Sequence, residues 1–137
     1  MYTVNIWPIL VATIVSFGIG ALWYSPVLFG KEWMALSKIN ESDVEASKMK
    51  GMWKSYIIHI IATFISFCVL GFIASATGVQ TASDGAFFAF LAWLGFIIPM
   101  NISRLLWQRD PMKLVLIDTV NVLIGLLIGG AIIGAWN

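Results

Sequence analysis

His59, Arg104 and Asp118 stand inside stretches of sequence that are otherwise dominated by apolar residues. Tyr24, Ser25, Asn101 and Asn121 accompany them, with Trp23 immediately before the first pair. Imidazole, guanidinium and carboxylate groups bind protons and ions, and taking them out of water costs several kcal/mol unless they are paired. They are therefore the first candidates for a binding site. They do not form a catalyst's pattern. Ser25 has no general base near it in sequence, and there is no nucleophile elbow, phosphate-binding loop or dinucleotide fingerprint. One histidine and no second carboxylate in these stretches argue against a metal site. The expectation is no enzyme, no catalytic residue, no metal and no cofactor. The single cysteine, Cys68, cannot form an intrachain disulfide and reads as a small packing residue.

The surroundings explain why so few polar groups matter. Of 137 residues, 60% are hydrophobic and 11% charged. Soluble domains are roughly 25% charged, so a soluble fold of this composition would lack the polar side chains to cover itself. The expected solvent is lipid. A formal net charge of +1 offers no basic stripe for nucleic acid. Four stretches, 5–29, 55–76, 85–107 and 112–136, reach the roughly 20 apolar residues that cross a bilayer core. Backbone groups in lipid must bond within the segment, so the spans are helices. The predicted fold is all-α: one transmembrane domain over 1–137, an integral membrane four-helix bundle.

Lysine and arginine set the direction. Lys31, Lys38, Lys48, Lys50 and Lys54 lie between spans one and two, and Arg104, Arg109 and Lys113 lie around the turn between spans three and four. No basic residue occurs elsewhere. Positive residues stay on the cytoplasmic side, so both termini are expected outside, in a multi-pass protein of the plasma (inner) membrane. MYTVNIW lacks the positive start of a signal peptide, and the run is too long, so span one reads as a retained helix. Trp7 and Trp136 mark the outer boundary and Trp33, Trp53 and Trp107 the inner one, while Trp23 and Trp93 pack within the bundle. In the loop 30–54, Ser42 and Glu45 have capping-box spacing, and Met49, Met52 and Trp53 share a face. A short amphipathic helix in the first cytoplasmic loop is expected. Asp84 is expected to cap span three and Pro111 to start span four.

Sorting each helix by face gives polar stripes. Span one aligns Thr13, Ser16, Gly20 and Trp23. Span two aligns Ser55, Tyr56, His59, Thr63 and Ser66, and span four Asp118, Asn121, Gly125 and Gly129. Span three is polar at Asn101 and Arg104, and Pro99 should bend it there. Gly20, Gly125 and Gly129, with Gly130 and Gly134 on a second face, are candidate packing positions that let helices approach. Two small faces on one helix suggest one contact in the bundle and one between subunits, hence a homo-oligomer. Asp118 should face the bundle with Arg104 or Tyr24 as its donor.

The segment GALWYSPVLFGKEW puts aromatic, hydroxyl and proline groups where span one ends, with Gly30 as the expected stop. Gly20, Leu22, Trp23, Tyr24, Ser25, Pro26, Phe29, Gly30 and Trp33, together with Trp93-Leu94-Gly95-Phe96, Pro99 and the glycine-rich last helix, resemble an uncharacterised, mostly bacterial membrane family called domain of unknown function 1761. The resemblance covers nearly the whole chain. It implies a small four-helix membrane protein and brings no activity. A fainter echo, Trp23-x-x-Pro26 and Phe96-x-x-Pro99, hints at two parallel halves.

Two functions follow from these residues. One is binding or transport of a small solute, ion or lipid headgroup through a polar layer formed by Trp23, Tyr24, Ser25, His59, Asn101, Arg104, Asp118 and Asn121. The other is a non-catalytic structural or accessory membrane protein that oligomerises or docks a partner. In the second, Asp118 and Arg104 merely neutralise each other, or Arg104 snorkels to lipid phosphates, and His59 is a packing group.

Overall fold

The computed structural model describes residues 2–38, 42–43, 45–46 and 51–137. Among them the chain is all-helical: α1 (Ile6–Trp23), α2 (Gly30–Leu36), α3 (Trp53–Thr77), α4 (Ala82–Leu106) and α5 (Met112–Trp136). α1, α3, α4 and α5 are long and apolar enough to cross a membrane. Their outward faces carry large apolar side chains such as Ile14, Ile58, Phe96 and Met100, each more than 60% exposed. A water-soluble protein rarely exposes such continuous apolar surface. The chain is a multi-pass membrane protein in contact with lipid. Residues 42–43 and 45–46 are helical, whereas the expected amphipathic face built on Met49 lies outside the described residues.

Helix boundaries follow local chemistry. Asn5 caps α1 by accepting from the Trp7 N–H at 3.1 Å. Gly78, at φ 73°, ends α3 in a left-handed turn that a side chain would oppose. α4 is capped by Thr81, whose hydroxyl accepts from the Asp84 N–H at 3.1 Å. Asp84 is therefore the third residue of the helix rather than its cap. α1 stops at Trp23, earlier than Gly30. Pro26 has no N–H and disfavours helix in the residue before it. The chain turns over 24–29, and Gly30 opens α2 instead of closing α1.

α5 is the hub. It packs most extensively on α4 and α1 and also meets α3, while α3 leans on α1 and scarcely meets α4. Its glycines make this possible. A Cβ on Gly130 would meet the Gly85 carbonyl oxygen at 2.5 Å and the Ala89 Cβ at 2.7 Å, so α4 and α5 touch backbone to backbone. Gly134 abuts Thr81 and Gly85; Gly125 faces the Ser16 hydroxyl and Gly129 the Phe67 ring. Both glycine faces are thus filled within one chain, and neither is left for a second copy. Gly20 differs from the expectation: an added Cβ there meets nothing within 4 Å, so it borders open space. The tight apolar core, Ile9, Ala12, Phe67, Leu70, Ala74, Val79, Ala89 and Ile133, sits in the half away from the charged connections.

α4 is not uniform. Trp93–Ile97 forms a π-helical turn, in which the Ile98 N–H reaches back to the Trp93 carbonyl. Pro99 interrupts the α-helical bonding just beyond, so the distortion appears upstream of the proline as a wider turn.

Gly130→Val is expected to push α5 off α4 and lower thermal stability in detergent by about 1–3 kcal/mol. Gly20→Ala is expected to stay within about 1 kcal/mol of the parent, or to exceed it through helix propensity.

Candidate functional site

The WYSP segment works as a fold-back. The Ser25 carbonyl accepts from the Leu28 N–H at 3.1 Å and the Gly30 N–H at 2.9 Å, and the Phe29 N–H donates to the Trp23 carbonyl at 3.0 Å. A Cβ on Gly30 would collide with the Tyr24 and Ser25 carbonyls, so this turn requires glycine. The Ser25 hydroxyl donates to the Leu22 carbonyl at 2.6 Å. Ser25 therefore builds the turn and joins no polar cluster. The result is that Tyr24, at the end of α1, and Trp33, on α2, converge on one carboxylate.

That carboxylate is Asp118. Its Oδ1 accepts from the Tyr24 hydroxyl at 2.7 Å and from Trp33 Nε1 at 3.1 Å. Its Oδ2 pairs with Arg104 Nη1 at 2.9 Å. Both donors expected from the sequence are present, and Trp33 is a third. Arg104 Nε also pairs with Asp110 at 2.9 Å, and Nη1 donates to Asn101 Oδ1 at 3.3 Å. Asn101 in turn donates through Nδ2 to the Ile97 carbonyl in the π-turn, at 2.8 Å. Two indoles fasten the backbone on either side of Asp118: Trp23 Nε1 donates to the Ile117 carbonyl at 3.0 Å and Trp93 Nε1 to the Thr119 carbonyl at 2.8 Å. Outside this cluster, Lys113 pairs with Glu32 at 2.8 Å. That pair is exposed and contributes little. Among the described residues, no buried side-chain nitrogen or oxygen lacks a partner.

Trp33 and Asp110 were not among the candidates. Trp33 read as a boundary residue, although its place in the WYSP motif was the signal that its position is tied to the turn. Asp110 lies in the charged turn, where nothing in the sequence separates it from a solvated residue. Arg104 turns inward to the carboxylates rather than out to lipid phosphates.

His59 and Asn121 belong to a second place. The stripes of three helices meet at a cavity of about 240 Å³: Ser16 and Gly20 from α1, His59, Thr63 and Ser66 from α3, and Asn121 from α5. Thr63 and Ser66 donate their hydroxyls to carbonyls of their own helix, at 2.9 and 3.1 Å. Their oxygens remain as acceptors. His59 is exposed on the mouth, with the Phe17 ring 6.2 Å from its own. Asn121 lies one turn from Asp118 on the same helix, so the cavity and the Asp118 cluster are neighbours along α5. The predicted single polar layer is two sites: a closed cluster and an open cavity.

Arg104 has a second anion in Asp110, whereas Asp118 has one cation. Arg104→Gln is therefore expected to cost more than Asp118→Asn, about 3 kcal/mol in detergent thermal unfolding, against less than half of that. The double variant is expected to be more stable than the sum of the singles implies.

No curated protein and no solved structure matches the chain. Residues 7–134 match a family described as "Protein of unknown function (DUF1761)". That match takes in the fold-back, the Asp118 cluster, the cavity and all but the outermost residues of the four described membrane-length helices, and by it the chain belongs to the DUF1761 family of proteins of unknown function.

Proposed function

We propose that this membrane protein binds a small solute or the head of a lipid-borne molecule in the polar cavity between α1, α3 and α5, by non-covalent contacts. The observation that carries the reading is the convergence of three polar stripes, one per helix, on a single open cavity. Chance placement of hydroxyl, amide and imidazole groups in apolar helices would not make them share a space. The Asp118 cluster has the support role. Its donors and acceptors are matched, which favours a structural reading for Trp23, Tyr24, Asn101, Arg104 and Asp118. An oligomer finds no support in the glycine ridges, which are filled within the chain.

Orientation rests on the basic residues, of which the six described ones, Lys31, Lys38, Lys54, Arg104, Arg109 and Lys113, lie at the end that holds the Asp118 cluster. We place that end in the cytoplasm of a bacterial cell's inner membrane, with both termini outside. In a Cys68→Ser background, Gln80→Cys is expected to react with an impermeant thiol reagent in intact cells, and Ser37→Cys only after lysis. The opposite pattern would invert the proposal.

Binding is tested by mass spectrometry of molecules retained through gentle purification. The parent protein and Asp118→Asn are expected to retain the same species, and Asn121→Leu to lose it. Equal retention by all three would refute the cavity as the site.

A further inference from the structure

The cavity's own chemistry narrows what it takes, an inference that rests on the binding reading above. The first constraint is charge. His59 is the one titratable side chain of the lining, and the neighbouring Arg104 and Asp118 are bonded to each other. A cationic head would find no counter-charge there and an anionic one nothing beyond a single imidazole, and an uncompensated charge at this depth costs several kcal/mol.

The second constraint is position. By a helix rise of about 1.5 Å per residue, the α3 lining runs from about 9 Å (His59) to about 20 Å (Ser66) beyond the start of that helix. This is the depth of acyl chains, not of phosphates. The mouth lies on the α3 side, where His59, Ala62 and Ser66 are exposed beside the lipid-facing Ile58, Ile61 and Ile65. α3 scarcely meets α4, so entry is sideways from the bilayer.

The third constraint is hydrogen bonding. His59 on α3 and Asn121 on α5 bring N–H donors from two walls, whereas Thr63 and Ser66 have spent their protons on their own helix. Donors on two walls suit a head with two separated acceptor oxygens. Val122 and Leu126, half-buried on α5, supply an apolar surface. A volume of about 240 Å³ is below the roughly 300–1,000 Å³ of drug-sized pockets, and is room for a ring head whose tail stays in lipid.

We propose that the cavity receives the neutral ring head of a membrane-dissolved quinone, with His59 and Asn121 donating to its two carbonyl oxygens. The proposal concerns binding alone and involves no electron transfer.

The test uses the full chain in phosphatidylcholine nanodiscs, where charged headgroups are in large excess. The probe is a radiolabelled benzoquinone with a decyl tail; decanol, with one oxygen, is the control competitor. Saturable retention above that of empty nanodiscs is expected, unaffected by an excess of decanol. His59→Leu and Asn121→Leu should each weaken it about tenfold, the loss of one hydrogen bond in an apolar site. Gly20→Leu fills the cavity from a position where a Cβ meets nothing within 4 Å, and should abolish retention while leaving the melting temperature unchanged.

Retention no greater than in empty nanodiscs overturns the proposal, as does displacement by decanol or undiminished retention in Gly20→Leu. If the parent instead holds a charged solute or a phospholipid that Gly20→Leu releases, the quinone proposal falls and the binding reading stands. If Gly20→Leu changes the retention of nothing, both fall.

Discussion

Apolar helices in lipid gain nothing by hiding apolar surface from one another, because the solvent is as apolar as they are. Association has to come from close packing and from polar bonds that lipid cannot make. In this protein α5 supplies both, one at each end. Its Gly130 and Gly134 let α4 approach to backbone contact. Its Asp118 gathers Tyr24 from α1, Trp33 from α2 and Arg104 from α4. The placements of α1, α2 and α4 follow from these two fastenings. α3 makes neither of them, leans on α1, and leaves the gap that becomes the cavity.

The closed cluster and the open cavity depend on each other. Carboxylate and guanidinium groups are costly in hydrocarbon when alone, and tolerable when each has partners of the opposite sign and hydrogen bonds for its remaining atoms. By consuming its charges locally, the Asp118 cluster leaves the neighbouring cavity without a carboxylate or guanidinium but still able to hydrogen-bond. Asn121 marks the border, lining the cavity one helical turn from Asp118. A polar cavity beside an ion pair is therefore compatible with a neutral occupant.

Much of this was legible in the sequence. Hydrophobic length gave the four membrane helices, and helical periodicity gave the stripes that meet at the cavity. The cost of a lone charge in lipid implied that Asp118 would be paired. What could not be read was how stripes from different helices divide. His59 and Arg104 lie at comparable depth, yet one faces the α1–α3 side of α5 and the other its α4 side, a matter of helix placement around α5. Gly20 looked like a packing position because small residues read alike whether they admit a helix or border a void. The end of α1 was misplaced because apolar residues continue past Pro26: Val27 and Leu28 are exposed, so they continue the lipid-facing surface without continuing the helix. Trp33 was hidden by its type, since an indole near a membrane boundary suits the interface as well as a buried hydrogen bond.

The π-turn in α4 sets the phase of everything after it. It holds one residue more than the α-helix on either side, and one residue is about 100° of rotation. In the half before the turn, Gly85 and Ala89 face α5. Carried on at an unbroken α-helical repeat, that row would pass through Ala92, Phe96 and Ser103, and present no charge to Asp118. With the extra residue it passes through Trp93, Ile97, Asn101 and Arg104, while Phe96 and Met100 turn outward, at 73% and 74% exposed. The ion pair at the charged end of the bundle is thus a property of chain length as much as of residue type. Removing a single residue between 93 and 97 would retain both Arg104 and Asp118 and still separate them.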